Sequence, residues 1–192
     1  MESIMPIKRP IDQSARAESV TVRYLTDSQV DKLVAAAREH SRYPNRDAAM
    51  ILLAYHHGLR VAELCAMRWD QIDIKAGTLA VPRVKNGTPG VHPLPAADRA
   101  VLRALPREGK LVFTTERDHP MAPAGVRAIM RRLGKLAGLG RVHPHMLRHA
   151  AGYKLVNQGT DIRVIQAYLG HRNISNTVRY TEVDVTRFKG LF

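Results

Sequence analysis

Six positions along this chain carry side chains suited to phosphate chemistry. Arg60 follows Gly58-Leu59, Lys85 stands beside Asn86-Gly87, and His145 and Arg148 share the stretch "HPHMLRH". His171 follows Leu169-Gly170, and Tyr180 ends the stretch "LGHRNISNTVRY". A planar, permanently charged guanidinium presents a fork of donors to two oxygens of one phosphate. An imidazole exchanges a proton near neutral pH. A lysine on a turn can bring a flexible cation into such a site. A phenol becomes a nucleophile once its proton has somewhere to go. On a helix, His145 and Arg148 are three apart and share a face, and His145 and His149, four apart, share one too. The histidine pair has metal-ligand spacing, but no Glu follows the first His and no Asp/Cys cluster adds ligands, so a phosphate oxygen suits this face better. An isolated H-x-x-R is ordinarily a solvated basic face, and a tyrosine among Thr177, Arg179 and Thr181 is ordinarily a surface residue. The ordered set is what points to chemistry.

Elements must hold these groups. "LTDSQVDKLVAAAREH" predicts a helix with Thr26 and Gln29 as a capping box and an apolar stripe of Val30, Leu33, Val34 and Ala37. A second helix runs from about Asn45 to His57 and stops at Gly58, with His56 and His57 read as ordinary helix-end residues. "RVAELCAM" restarts a helix at once, which puts Arg60 at a sharp joint. "GTLAVPRVKNGTPGVHPLP" reads as a hairpin turning at Asn86-Gly87, weakened toward an irregular ribbon by Pro82 and Pro89. Lys85 lies at or near its tip, and Arg83 shares its face on a regular strand. A helix near 96–105, a short strand near 111–113 and a helix from Pro123 to about Ala137 follow. Pro144 starts a helix ending at Gly159. Asp161 and Gly170 bound a short one, and Ser175 to Thr181 forms the last. The class is mainly α with a small β-ribbon. Residues 1–22 read as a mobile basic arm and 23–192 as one domain.

Composition narrows the partners. Thirty Lys and Arg against 17 Asp and Glu leave a net charge of +13 in 192 residues. No basic amphipathic helix with large apolar residues opposite stands out, so a membrane surface is disfavoured and a polyanion, nucleic acid foremost, is favoured. Aromatic residues are only 5%, too few for a base-stacking single-strand binder, so duplex backbone contact fits better. No run is long and apolar enough for a transmembrane helix, no secretory signal is visible, and the single Cys65 excludes an intramolecular disulfide framework. Together these predict a cytoplasmic protein.

In "GLRVAEL", "HPHMLRHAAGYKL" and "YLGHRNISNTVRYT" the chain resembles the tyrosine recombinases, or phage-type integrases, over roughly Leu25 to Phe192. Its short length and C-terminal motifs look most like the small invertases that switch fimbrial genes. The resemblance implies the tyrosine-recombinase catalytic-domain fold and cleavage of DNA through a 3′-phosphotyrosine, with neither metal nor cofactor. It implies that Tyr180 attacks, Arg60 and Arg148 clamp the phosphate, and His171 donates to it. His145 orients the phosphate and handles the tyrosine proton, and Lys85 protonates the 5′-oxygen. Glu63 matches an acidic position and either buttresses an arginine or makes a surface salt bridge. The implied partners are duplex DNA with inverted-repeat half-sites, a homotetramer on synapsed sites, and accessory DNA-bending proteins. The tail, with Val185, Phe188, Leu191 and Phe192, packs on a neighbouring subunit or on its own core. An integrase or resolvase would share the chemistry. A non-catalytic DNA-binding regulator would share the fold without needing the nucleophile.

Overall fold

A computed structural model of the chain describes residues 24–83 and 87–181. The basic arm, Lys85 and the tail beyond Thr181 lie outside the described residues. Helix α1 (Asp27–His40) opens on the predicted capping box: Thr26 Oγ1 accepts from the Gln29 backbone and Gln29 Oε1 accepts from that of Thr26. Its buried stripe contains Val30, Leu33, Val34 and Ala37. Helix α2 (Pro44–His56) is apolar almost all round and forms the centre of the bundle, with α1, α4 (Ala96–Arg103) and α6 (Pro144–Asn157) packed against it. A five-residue α3 (Val61–Cys65) and the amphipathic α5 (Pro123–Leu136) close one side. Helices α7 (Ile162–Leu169) and α8 (Ser175–Val178) return the chain to α6, where Ala151, Val156, Ile165, Leu169 and Tyr180 form a second, smaller core.

Three short strands make the antiparallel sheet: β1 (Ile72–Asp73), β2 (Thr78–Val81) and β3 (Gly90–Pro93), in that order. The ribbon departs from the predicted hairpin in three ways. Val81 pairs with Gly90, so the ladder stops well before Asn86-Gly87 and a long loop, rather than a two-residue turn, joins β2 to β3. Arg83 lies beyond β2 with φ +37, off any regular strand. Strand β1 was not foreseen. It turns into β2 where Asp73 Oδ1 accepts from the Ala76 N–H and Gly77 takes φ +69. The predicted strand near 111–113 is a single bridge, Leu111 to Arg68. No described helix is long and apolar enough to cross a membrane.

Candidate active site

The joint after α2 is the foundation of the site. Gly58 takes φ +56, and a Cβ there would lie 2.4 Å from Leu169 Cδ2, so glycine is required by both conformation and space. The turn frees the Gly58 carbonyl to accept from two guanidiniums, Arg148 Nη1 and, at 3.4 Å, Arg83 Nη1. Arg60 then caps α3. Glu63, one turn on, accepts from the Arg60 backbone at 2.8 Å, from Arg60 Nη1 at 2.8 Å and from Arg83 Nη1 at 2.9 Å. Glu63 is buried, so these are not surface contacts. Arg83, taken only as a neighbour of Lys85, is itself part of the frame: its other nitrogen donates to the carbonyls of His57 and Tyr168.

Arg148 is 1% exposed, yet among the described residues no carboxylate touches it directly; Nη1 meets the Gly58 carbonyl and Nη2 the Leu169 carbonyl at 2.8 Å. Burial pulls this guanidinium down to about 10, and the positive charges of Arg60 and Arg83 pull the same way. It remains charged at neutral pH. His171 stands just past Gly170, which closes α7 in the left-handed region at φ +64. Its Nδ1 lies 2.9 Å from Thr177 Oγ1. Burial, then Arg148 and Arg60, hold the His171 ring down to about 3, so it is neutral. If the Thr177 hydroxyl donates to Nδ1, the ring's proton sits on Nε2, ready to donate.

Tyr180 sits in a 3-10 turn, Arg179–Thr181, and is 3% exposed rather than presented to solvent. Its ring lies on α6 at Gly152, where a Cβ would come within 2.7 Å of the aromatic carbons. Tyr153 meets it edge-on and His171 stacks 6.2 Å away. The hydroxyl is 3.0 Å from His149 Nδ1. His145, expected at the tyrosine proton, is exposed and meets His149 edge-on at 4.3 Å. Burial raises the phenol's pKa, against the opposing pull of Arg148 and Arg179.

A correction concerns His56 and His57. Both bind one buried carboxylate, Asp98 of α4: His56 Nδ1 at 2.6 Å and His57 Nε2 at 3.0 Å. His57 continues to His92 (3.4 Å) and His92 Nε2 to Arg83 Nη2 (3.4 Å), while the His92 ring stacks on Tyr168 at 3.9 Å. A chain of polar side chains thus runs from α4 to the arginines. One signal was present in the sequence: Asp98 falls at helical spacing between buried Leu94 and Leu102. Beside Arg60, residues Arg127, Arg131, Arg141, His143 and His145 line an open recess of about 480 Å³. Among the described residues no group of three or more His, Cys, Asp or Glu could hold a metal ion. Arg60, His145, Arg148, His171 and Tyr180 are all brought around α6 and the α2–α3 joint, with Lys85 outside the described residues.

The model of the phage integrase family matches residues 23–187. The type 1 fimbriae regulatory protein FimE of Escherichia coli (strain K12) is 38% identical over 180 residues, covering 88% of this chain and 90% of that protein. FimB of the same strain is 36% identical over 186 residues, covering 92% of each. Among solved structures, the XerA recombinase superposes with a TM-score of 0.75 at 24% identity, covering 88% of this chain and 66% of that one.

Proposed function

This chain belongs to the phage integrase family, and from that membership we propose how its residues divide the work. It is a site-specific recombinase that cleaves and rejoins DNA. Tyr180 Oη attacks the scissile phosphorus and leaves a 3′-phosphotyrosine and a free 5′-hydroxyl. Arg60 and Arg148 hold the two non-bridging oxygens on which charge builds, and their rigid mounting on Glu63 and on the Gly58 and Leu169 carbonyls supports this. His171 adds a donor to the same phosphate, His145 orients it from the rim, and Lys85 protonates the departing 5′-oxygen. Arg83 does not suit that last task, since it is buried and engaged by Glu63 and the carbonyls of His57, Gly58 and Tyr168. The phosphotyrosine conserves the energy of the broken bond, so rejoining draws on no nucleotide.

The DNA is duplex with inverted-repeat half-sites, bound through the basic recess. Four copies act on two synapsed sites, helped by DNA-bending proteins, in the cytoplasm at the nucleoid. The reaction inverts a promoter segment and so switches fimbrial genes. Two regulators of type 1 fimbriae matched over at least nine-tenths of their length support that reading. The observation that carries the chemistry is the convergence of Arg60, Arg148, His171 and Tyr180 around α6 and the α2–α3 joint. On a nicked site, Tyr180→Phe is expected to abolish the covalent protein–DNA adduct with near-unchanged affinity. An adduct in that variant means that another residue attacks, and none in the unmutated protein makes the chain a non-catalytic regulator.

A further inference from the structure

We propose that His149 is the proton acceptor for Tyr180, a role that rests on Tyr180 being the nucleophile. The geometry is built rather than incidental. Gly152 leaves room for the Tyr180 ring against α6, and its Cβ-free surface fixes how the ring lies. So placed, the hydroxyl meets His149 Nδ1 at 3.0 Å, within the reach that proton transfer requires. His145 lies one turn back on the same helix and is exposed, which leaves it to the phosphate.

The charges around His149 tie this transfer to the arrival of DNA. His145 and Arg148 flank it on α6, His143 precedes that helix, Arg179 faces it from the 3-10 turn, and His171 lies across from it. In the free protein burial, then His145, Arg179 and Arg148, lower its pKa to about 4, while burial raises that of the phenol. Both shifts favour the proton on Tyr180 in the free protein. A phosphate docked on Arg60 and Arg148 brings negative charge beside the same cations, which offsets their effect on the ring and makes it more basic.

The step balances. Tyr180 Oη gives its proton to His149 Nδ1 and an electron pair to phosphorus. The bond from phosphorus to the 5′-oxygen breaks, and that oxygen takes a proton from Lys85. Rejoining reverses each transfer: the 5′-hydroxyl attacks the phosphotyrosine and returns its proton to the lysine, and Tyr180 leaves with the proton held by His149.

The test is single-turnover adduct formation by the full chain on a nicked site. His149→Asn keeps an acceptor oxygen near the place of Nδ1 but takes no proton, and His149→Gln is read beside it. Melting temperature and DNA affinity establish that each variant is folded. Adduct formation in H149N should fall by about 10²-fold, the lower end of what a general base contributes, at unchanged affinity. Replacing Tyr180 by 2,3,5-trifluorotyrosine, a more acidic phenol, should shrink that deficit at least tenfold. It should not shrink the deficit of Arg148→Lys, which acts on phosphate oxygens. An H149N rate equal to or above that of the unmutated protein overturns the proposal, as does an equal deficit with both phenols. Adduct formation by Tyr180→Phe would sink the nucleophile assignment instead, so the two failures are distinguishable.

Discussion

At the scale of single residues, Arg148 shows how this site is prepared. A guanidinium that is 1% exposed and bound to two backbone carbonyls has its plane fixed before any phosphate arrives. Arg148→Lys keeps the charge but loses the fork. A lysine ammonium cannot meet the Gly58 and Leu169 carbonyls in the same geometry, so one buried acceptor goes unsatisfied at a cost of about 1–3 kcal/mol. We expect a lower melting temperature together with cleavage reduced by about 10²-fold or more, the scale for removing a transition-state donor. Full cleavage in the lysine variant would show that charge alone suffices. The burial of Tyr180 belongs to this scale too, and the sequence did not display it. The polarity of Thr177, Arg179 and Thr181 describes the tyrosine's neighbours in the chain, whereas its exposure is decided by Gly152 and Tyr153, more than twenty residues away.

At the scale of elements, most of the framework was legible. Caps and stripes are local signals, so α1, α5, α6 and α7 lie close to their predicted places, and Gly58 marked the joint that presents Arg60. The ribbon was less legible because its strands are two to four residues long, and pairing over so short a span depends on the helices beneath. The histidines at the end of α2 were misread for a related reason. Nothing beside His56 and His57 in sequence announces a carboxylate forty positions on. Asp98 pins α4 to the end of α2 and so steadies the turn that carries Arg60. Burial pushes its carboxyl up, but the bonds to His56 and His57 together outweigh that and the net direction is down. A carboxyl lowered on folding contributes stability above the ordinary carboxylate range, and loses it as pH falls through its folded pKa. His92 and His171 are each lowered to about 3. Below about 6.5 the unfolded chain protonates these histidines while the folded one resists, so stability falls with pH from about 6.5 toward 3. The melting temperature is therefore expected to drop between pH 7 and pH 5, and a flat profile there would contradict the buried neutral histidines. Asp98→Asn should lower it further at pH 7 and slow cleavage more than it weakens DNA binding. Equal losses in both would deny Asp98 a role in steadying the joint.

At the scale of the molecule, a net charge of +13 makes ionic strength the main control on affinity. Each neutralised DNA phosphate releases counter-ions, so the binding constant should fall steeply with salt. Arg131→Ala, in the recess beside Arg60, should reduce the slope of log affinity against log salt by about one. An unchanged slope would place the DNA elsewhere. The mounting of the arginines has a consequence for the protein without DNA. Arg60 and Arg83 are held by Glu63, and among the described residues Arg148 is answered by carbonyl dipoles rather than by a carboxylate of its own. Among the described residues this centre thus carries positive charge in excess, which a small dissolved anion could relieve. Inorganic phosphate or sulfate that binds only the folded form stabilises it by mass action, by about 2.7 kcal/mol at a hundredfold excess over its dissociation constant. Heat resistance should then climb with sulfate concentration beyond what chloride of equal ionic strength provides, and Arg148→Ala should erase most of that difference. Purified in a phosphate-free buffer, the protein would be at its least robust, for want of the group it was shaped to grip.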